Sequence, residues 1–228
     1  MSNPYVINLD SRPDRWETIN QVWNGAFELT KVPAVSESPG WIGCGLSHVR
    51  IIEDAKQRGD PYVLVWEDDC MPFRRIPSQV RTLWNEVLYK LSLCRDKWDV
   101  VTGGTTSVQK GAFFNQELST KNVSVYDLPH GLTTHWILYN SSAYDRMIEW
   151  KTLRTPQIDV YLFNVFRVKV VVPFLAEQNT GYSDIESRQV NYHDMFHRTE
   201  LDISQTSNTL SKILKNAPAV YSPKFMTR

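Results

Sequence analysis

The chain has 228 residues, 42% hydrophobic and 22% charged, a balance that argues against a disordered protein. Lysine plus arginine number 25, as do aspartate plus glutamate. No general electrostatic pull therefore draws the chain to nucleic acid or an anionic membrane, and any phosphate recognition has to come from a local site.

The length suits one α/β domain with a large core, or at most two small domains. No run approaches the roughly 18 apolar residues that cross a bilayer, so no transmembrane segment is expected. Cys44, Cys70 and Cys94 are too few and too scattered for a disulfide framework, and they read as free thiols of a reducing, cytoplasmic setting. The N-terminus runs straight into a strand-like segment with no basic stretch and apolar core ahead of it, so no secretory signal is expected.

In chain order, Tyr5 to Leu9 predicts a buried strand. Pro13 then suits the first turn of a helix reaching about Asn24, where Gly25 stops it. Phe27 to Ala34 reads as a second strand. Gly43 to Arg58 places Leu46, Val49, Ile52 and Ala55 on one helical face, and Gly59-Asp60-Pro61 ends it. Tyr62 to Trp66 is a dense apolar strand of the kind buried on both faces. A helix is expected over Val80 to Leu93 and a strand over Trp98 to Thr102. This alternation predicts an α/β fold with crossover helices. After Gly104 the pattern changes to short strands at Ala112–Phe114, Ser124–Asp127 and Thr133–Tyr139. Helices follow at Ser142–Trp150 and Asp159–Phe166, a strand at Val168–Val172 and a terminal helix at Ser204–Lys215. Ala217 to Arg228, with two prolines, reads as a tail or as a linker to a further C-terminal domain of a longer protein.

The most informative stretch is Val63-Leu64-Val65-Trp66-Glu67-Asp68-Asp69. Ligands of open α/β sheets bind beyond the carboxyl ends of the strands. Three carboxylates packed there repel one another unless a cation neutralises them or water solvates them. In an extended chain residues 67 and 69 share a side and would offer oxygens to one hard cation, Mg²⁺ or Mn²⁺. Such an ion would hold the diphosphate of a nucleotide-sugar and stabilise its charge as the glycosidic bond breaks.

Five segments in order resemble glycosyltransferase family 25, the group of lipopolysaccharide and collagen galactosyltransferases. They are Tyr5 to Arg15, Ile42-Gly43-Cys44-Gly45-Leu46-Ser47-His48, Val63 to Asp69, Thr133 to Tyr144, and Gln178-Asn179-Thr180-Gly181-Tyr182-Ser183-Asp184-Ile185. The resemblance implies a GT-A fold: a Rossmann-like, mostly parallel sheet flanked by helices, with a smaller mixed sheet on the acceptor side. It also implies a UDP-sugar donor, a divalent cation, usually Mn²⁺, and inverting transfer of a hexose of galactose or glucose type to a glycan or other hydroxyl acceptor. A single domain over residues 1–216 is expected, with a donor half to about 104 and an acceptor half from 105 to 200.

Roles follow the matched positions. Asn8, Arg12 and Arg15 lie at the first strand–helix junction, where this fold seats the nucleotide, and either arginine would pair with the diphosphate. Asp69 is the first choice of metal ligand, with Glu67 and Asp68 in the ribose and metal shell. Related folds add a histidine from near the C-terminus, for which His193 and His197 are the candidates. Gly43 to His48 opens a helix whose amide end favours an anion, and His48 itself reads as a packing histidine. The base that takes the acceptor's proton is expected from the second half, at Asp159 or Asp184. Trp41, His135 and Trp136 are aromatics that either line the sugar cleft or fill the core.

Two rivals stand beside this reading. A Mg²⁺-dependent nucleotidyltransferase would want a glycine-rich phosphate loop after the first strand, where this chain has Asp10-Ser11-Arg12-Pro13. A nucleotide-sugar-binding module without turnover would bind donor and release nothing.

Overall fold

A computed structural model describes residues 3–109, 111–183 and 188–216. The chain begins with strand β1 (Tyr5–Asn8) and helix α1 (Pro13–Trp23), which opens on proline at a position where no backbone N–H is needed. Strand β2 (Thr30–Pro33) is shorter than Phe27 to Ala34. The amides of Ala26 and Phe27 turn back to the Trp23 carbonyl, which buries Phe27 against α1 instead of extending it. Helix α2 (Gly40–Arg58) ends at Gly59, whose φ of 72° supplies a left-handed cap.

Strands β3 (Tyr62–Glu67) and β4 (Cys70–Pro72) follow, then α3 (Pro77–Leu93) and β5 (Val100–Thr102). The second half brings β6 (Phe113–Asn115), β7 (Ser124–Asp127), β8 (Trp136–Asn140), α4 (Tyr144–Leu153), α5 (Ile158–Val165) and β9 (Val168–Val172). It closes with β10 (Ala176–Gln178), β11 (Gly181–Ser183), β12 (Arg188–Val190) and α6 (His193–Asn216). Helix α6 starts well ahead of the expected Ser204. Phe196, Thr199 and Ile203 are buried at helical spacing along it, and that stripe fixes the extra turns. The expected tail from Ala217 onward lies outside the described residues.

Eight strands form one sheet in the order β2-β1-β3-β8-β5-β9-β7-β6. Pairs β1–β2, β1–β3 and β5–β9 are parallel. Strand β8 runs antiparallel between β3 and β5, and β7 runs antiparallel between β9 and β6. The result is an α/β sheet in which most strands share one direction. A two-stranded ribbon of β4 and β10 crosses beside it.

Alternate residues of each central strand enter opposite cores. Ile7, Val63, Val65, Val100, Ile137 and Tyr139 face α2, α4 and α5. Val6, Leu64, Trp66, Val101, Trp136 and Leu138 face α1 and α3. The second core is held by indoles: Trp66 lies 4.3 Å from Trp136 and 4.8 Å from Trp23, centroid to centroid. Among the described residues no helix is long and apolar enough to cross a membrane.

Two predictions test this packing. A Cβ on Gly45 would sit 2.2 Å from the Trp150 ring, so Gly45→Ala should destabilise the α2–α4 contact by about 1–3 kcal/mol in urea unfolding. The second concerns Asp99, which takes two parallel hydrogen bonds from Arg167 at 2.8 and 2.9 Å and one from Ser142. Burial opposes its charge, but these donors win and hold its pKa at about 2. A lowered pKa stabilises above the unfolded value of 3.8 and is lost as pH falls through the folded value. Asp99→Asn should therefore cost about 1 kcal/mol near neutral pH, and the urea midpoints of the two proteins should converge as pH falls from 3.8 toward 2.

Candidate functional site

The carboxyl ends of β1, β2 and β3 open onto a cavity of about 1020 Å³. Its wall includes Arg12 and Arg15 from the start of α1, Trp41 and Cys44 from the start of α2, all three acids Glu67, Asp68 and Asp69, and Asp159 from the start of α5. Residues far apart in the chain thus meet at the crevice expected of an open α/β sheet.

The end of β3 at Glu67 and the turn at Asp68–Asp69 send the three acids apart. Glu67 continues the Val63–Val65 face and turns toward α2. Its Oε1 accepts a hydrogen bond from Thr134 Oγ1 and lies 3.6 Å from His48 Nε2 and 3.8 Å from Cys44 Sγ. Burial opposes its charge, yet His48 and Thr134 outweigh burial and hold its pKa below the ordinary value. Asp68 turns to the α1 side. Asn8 Nδ2 donates to Oδ2 at 2.8 Å, and Arg15 Nη1 to Oδ1 at 3.0 Å. Burial still raises the Asp68 pKa, with Arg15 and Asn8 opposing.

Asp69 differs from both. The chain is in a turn at Asp68–Asp69, not extended, so the expected same-side alignment of residues 67 and 69 does not arise from strand geometry. Asp69 is instead held by the ribbon: its carbonyl accepts from the Asn179 amide at 2.7 Å, and Oδ2 accepts from Gln178 Nε2 at 3.3 Å. Oδ1 is buried with no hydrogen-bond partner among the described residues. Burial, then the charges of Glu67 and Asp68, push its pKa far above the carboxylate range. A buried carboxyl oxygen with no hydrogen-bond partner among the described residues is the kind of hard ligand that could hold Mg²⁺ or Mn²⁺.

The remaining expected residues divide cleanly. Asn8 is 1% exposed and acts behind the wall, tying Asp68 to the Arg12 carbonyl. Arg12 forks onto Asp14 at 3.0 and 2.8 Å. Asp159 lines the cavity, and its Oδ1 accepts from the Val160 amide at 2.8 Å. Burial raises its pKa, opposed by the amides of Val160 and Thr133. Asp184 lies outside the described residues.

His135 and Trp136 are fully buried and do not line the cavity. His135 meets Phe196 edge to face at 5.0 Å, and burial pulls its pKa down to about 4. Both are core side chains. His193 Nδ1 pairs with Glu177 Oε2 at 2.7 Å, and neither His193 nor His197 is on the cavity wall.

Sequence reasoning passed over Thr133, Thr134 and Gln178. Thr133 has a φ of 80°, a strained value for a β-branched residue that marks a site held by its surroundings. Nothing in a lone Thr-Thr pair announces this. Gln178 opens the fifth matched segment but carries no chemical signal of its own. Cys44 and His48 do carry one: they are four apart on a helix and share a face.

No protein-family model and no curated protein matches the chain. Several solved structures resemble it at low identity. A197 from STIV is 10% identical, covering 83% of this chain and 93% of its own, with a TM-score of 0.41. Mannose-1-phosphate geranyltransferase from Thermus thermophilus is 12% identical, covering 79% and 60%, at 0.38. Apo UDP-glucose pyrophosphorylase is 10% identical, covering 92% and 82%, at 0.37. None is close enough to lend its activity to this chain.

Removing the donor to Glu67 should be costly. Thr134 is 6% exposed, and Thr134→Val is expected to lose about 1–3 kcal/mol in metal-free urea unfolding.

Proposed function

We propose that the protein is a metal-dependent, inverting glycosyltransferase of GT-A type that moves a hexose, galactose or glucose, from a UDP-sugar to a hydroxyl on a glycan or similar acceptor. One observation carries the reading: a buried carboxylate oxygen of Asp69 has no hydrogen-bond partner among the described residues, on the wall of a cavity shared with Arg12 and Arg15. A diphosphate brought near Glu67, Asp68 and Asp69 would be repelled unless a divalent ion stood between them. Bound Mn²⁺ or Mg²⁺ supplies Lewis-acid stabilisation of the departing diphosphate.

The chain's own residues do the rest. Asp69 would hold the cation, with Glu67 and Asp68 lining the cavity around it. Arg12 and Arg15 neutralise phosphate oxygens. Trp41 offers an aromatic face to a sugar. Asp159 takes the proton of the attacking hydroxyl, and burial lifts its pKa in the direction a base requires. Asp184 is the other candidate base. His193 pairs with Glu177 in the described geometry, so the metal assignment stands on Asp69. Residues 1–216 would then be one catalytic domain, with donor and acceptor halves meeting at this cavity. Three free thiols are in keeping with a cytoplasmic location.

The test is a screen of UDP-sugars for Mn²⁺-dependent UDP release. Asp69→Ala should abolish metal-dependent donor binding measured by calorimetry. Asp159→Asn should keep donor binding and lose about 10²–10⁴-fold in transfer, with Asp184→Asn run beside it. Equal donor affinity with and without metal, in wild type and in Asp69→Ala, would overturn the metal assignment. Pyrophosphate release from UTP and a sugar phosphate would point to nucleotidyl transfer. Donor binding with no product would point to a binding module.

A further inference from the structure

Beside the proposed cation site, three side chains of a different chemistry converge. Cys44 and His48 lie one turn apart on α2, and Glu67 ends β3 opposite them. Their ligand atoms all lie within 4.8 Å of one another. We infer that Cys44 Sγ, His48 Nε2 and Glu67 Oε1 form a second metal site, selective for a thiophilic ion such as Zn²⁺ over Mg²⁺ or Mn²⁺.

The distances suit such an ion. Tetrahedral zinc with its usual bond lengths sets nitrogen and oxygen ligands about 3.3 Å apart and sulfur and oxygen about 3.6 Å apart. The observed separations are 3.6 Å for His48 Nε2 to Glu67 Oε1 and 3.8 Å for Cys44 Sγ to Glu67 Oε1. The two pairs that share Glu67 Oε1 need to contract by a few tenths of an ångström, and Cys44 Sγ and His48 Nε2, which lie within 4.8 Å of each other, have to close toward the roughly 3.6 Å of a shared tetrahedral ion.

The second observation is His48 itself. Its side chain is fully buried, and Nε2 points at Glu67 Oε1 3.6 Å away without making a hydrogen bond among the described residues. The other ring nitrogen, Nδ1, is 3.0 Å from Tyr139 Oη. With an ion on Nε2, Nδ1 keeps its proton and donates it to that oxygen, which fixes the tautomer and the ring plane as metal-bound histidines require. Thr134 does the same for Glu67, holding the oxygen that faces both partners.

Ligand softness separates this site from Asp69. A thiolate and an imidazole select zinc-like ions, whereas carboxylate oxygens suit Mg²⁺ and Mn²⁺. Binding converts the Cys44 thiol to thiolate and releases its proton to solvent. Cys44 and Glu67 also line the large cavity, so a fourth position opens toward whatever the cavity holds, the arrangement of three-ligand zinc sites.

Cobalt tests this directly, since a cobalt–thiolate bond gives a near-ultraviolet charge-transfer band. Metal-free protein titrated with Co²⁺ should develop that band at one equivalent, and Zn²⁺ should bleach it. Cys44→Ser should abolish the band, and His48→Gln should weaken Co²⁺ binding at least tenfold. Asp69→Asn should keep the band while losing Mn²⁺ affinity, which separates this site from the proposed donor cation. A readout on the wild-type chain covers variants that misfold: Zn²⁺ should slow alkylation of Cys44 and leave Cys94 unchanged, followed by peptide mass spectrometry. No thiolate band, together with alkylation of Cys44 unaffected by Zn²⁺, would overturn the second site and leave the Asp69 assignment standing.

Discussion

Three consecutive carboxylates on the wall of one cavity are the constraint around which the site is built. Two like charges about 4 Å apart repel by about 4 kcal/mol at the effective dielectric of a protein surface. Residues 67 to 69 therefore cannot all be ionised without partners. The fold separates them where β3 gives way to a turn: Glu67 goes to His48 and Thr134, and Asp68 to Asn8 and Arg15. Asp69, in the turn that follows, receives one long bond from Gln178 and keeps an oxygen with no hydrogen-bond partner among the described residues. The cluster is thus an unequal set, in which two members are compensated by the chain and the third is left to something that is not the chain.

What keeps that inequality in place lies behind the site. Trp66 immediately precedes the acids and is clamped by Trp136, Trp23 and Phe27. Gly103 allows Trp136 its position, since a Cβ there would fall 2.5 Å from the indole. The β4–β10 ribbon then seizes the chain on the far side of the turn, pairing Cys70 with Gln178. The acids are therefore fixed at both ends by packed core. Side chains held this way lose little entropy on meeting a ligand.

Much of this was legible in the sequence, for reasons that can be named. A short apolar run as dense as Val63 to Trp66, bounded by turn residues, reads as a buried strand, and acids that follow such a strand lie at a sheet's carboxyl edge. That reasoning placed Glu67, Asp68 and Asp69 at the edge, and the family resemblance added Arg12, Arg15 and Asp159; these six and Trp41 line one cavity, whereas Asn8 lies behind its wall and His193 away from it. The sheet's direction was less legible. Trp136 to Asn140 is as apolar as β3, and nothing in such a run tells that it enters antiparallel between β3 and β5. The aromatic side chains of His135 and Trp136 were equally ambiguous, because an aromatic residue suits a core and a sugar cleft alike. The turn at Asp68–Asp69 and the positive φ of Thr133 are products of tertiary packing, which local propensity does not encode.

The pairing of Arg15 with Asp68 bears on how a donor would enter. While that ion pair stands, the guanidinium commits a fork position to the protein's own carboxylate. A divalent ion beside Asp69 would stabilise negative charge on Asp68 and Glu67 as well, because all three acids share one field. Asp68 would then depend less on Arg15, and the guanidinium could turn toward phosphate oxygens at lower cost. Cation and diphosphate would thereby favour each other through a shared arginine as well as by direct contact. Such coupling is reciprocal by thermodynamic necessity: whatever factor the metal adds to donor affinity, the donor adds to metal affinity. A cleft whose basic residues are already engaged by acids is poorly suited to free anions, and in the proposed enzyme that would discriminate against metal-free phosphates.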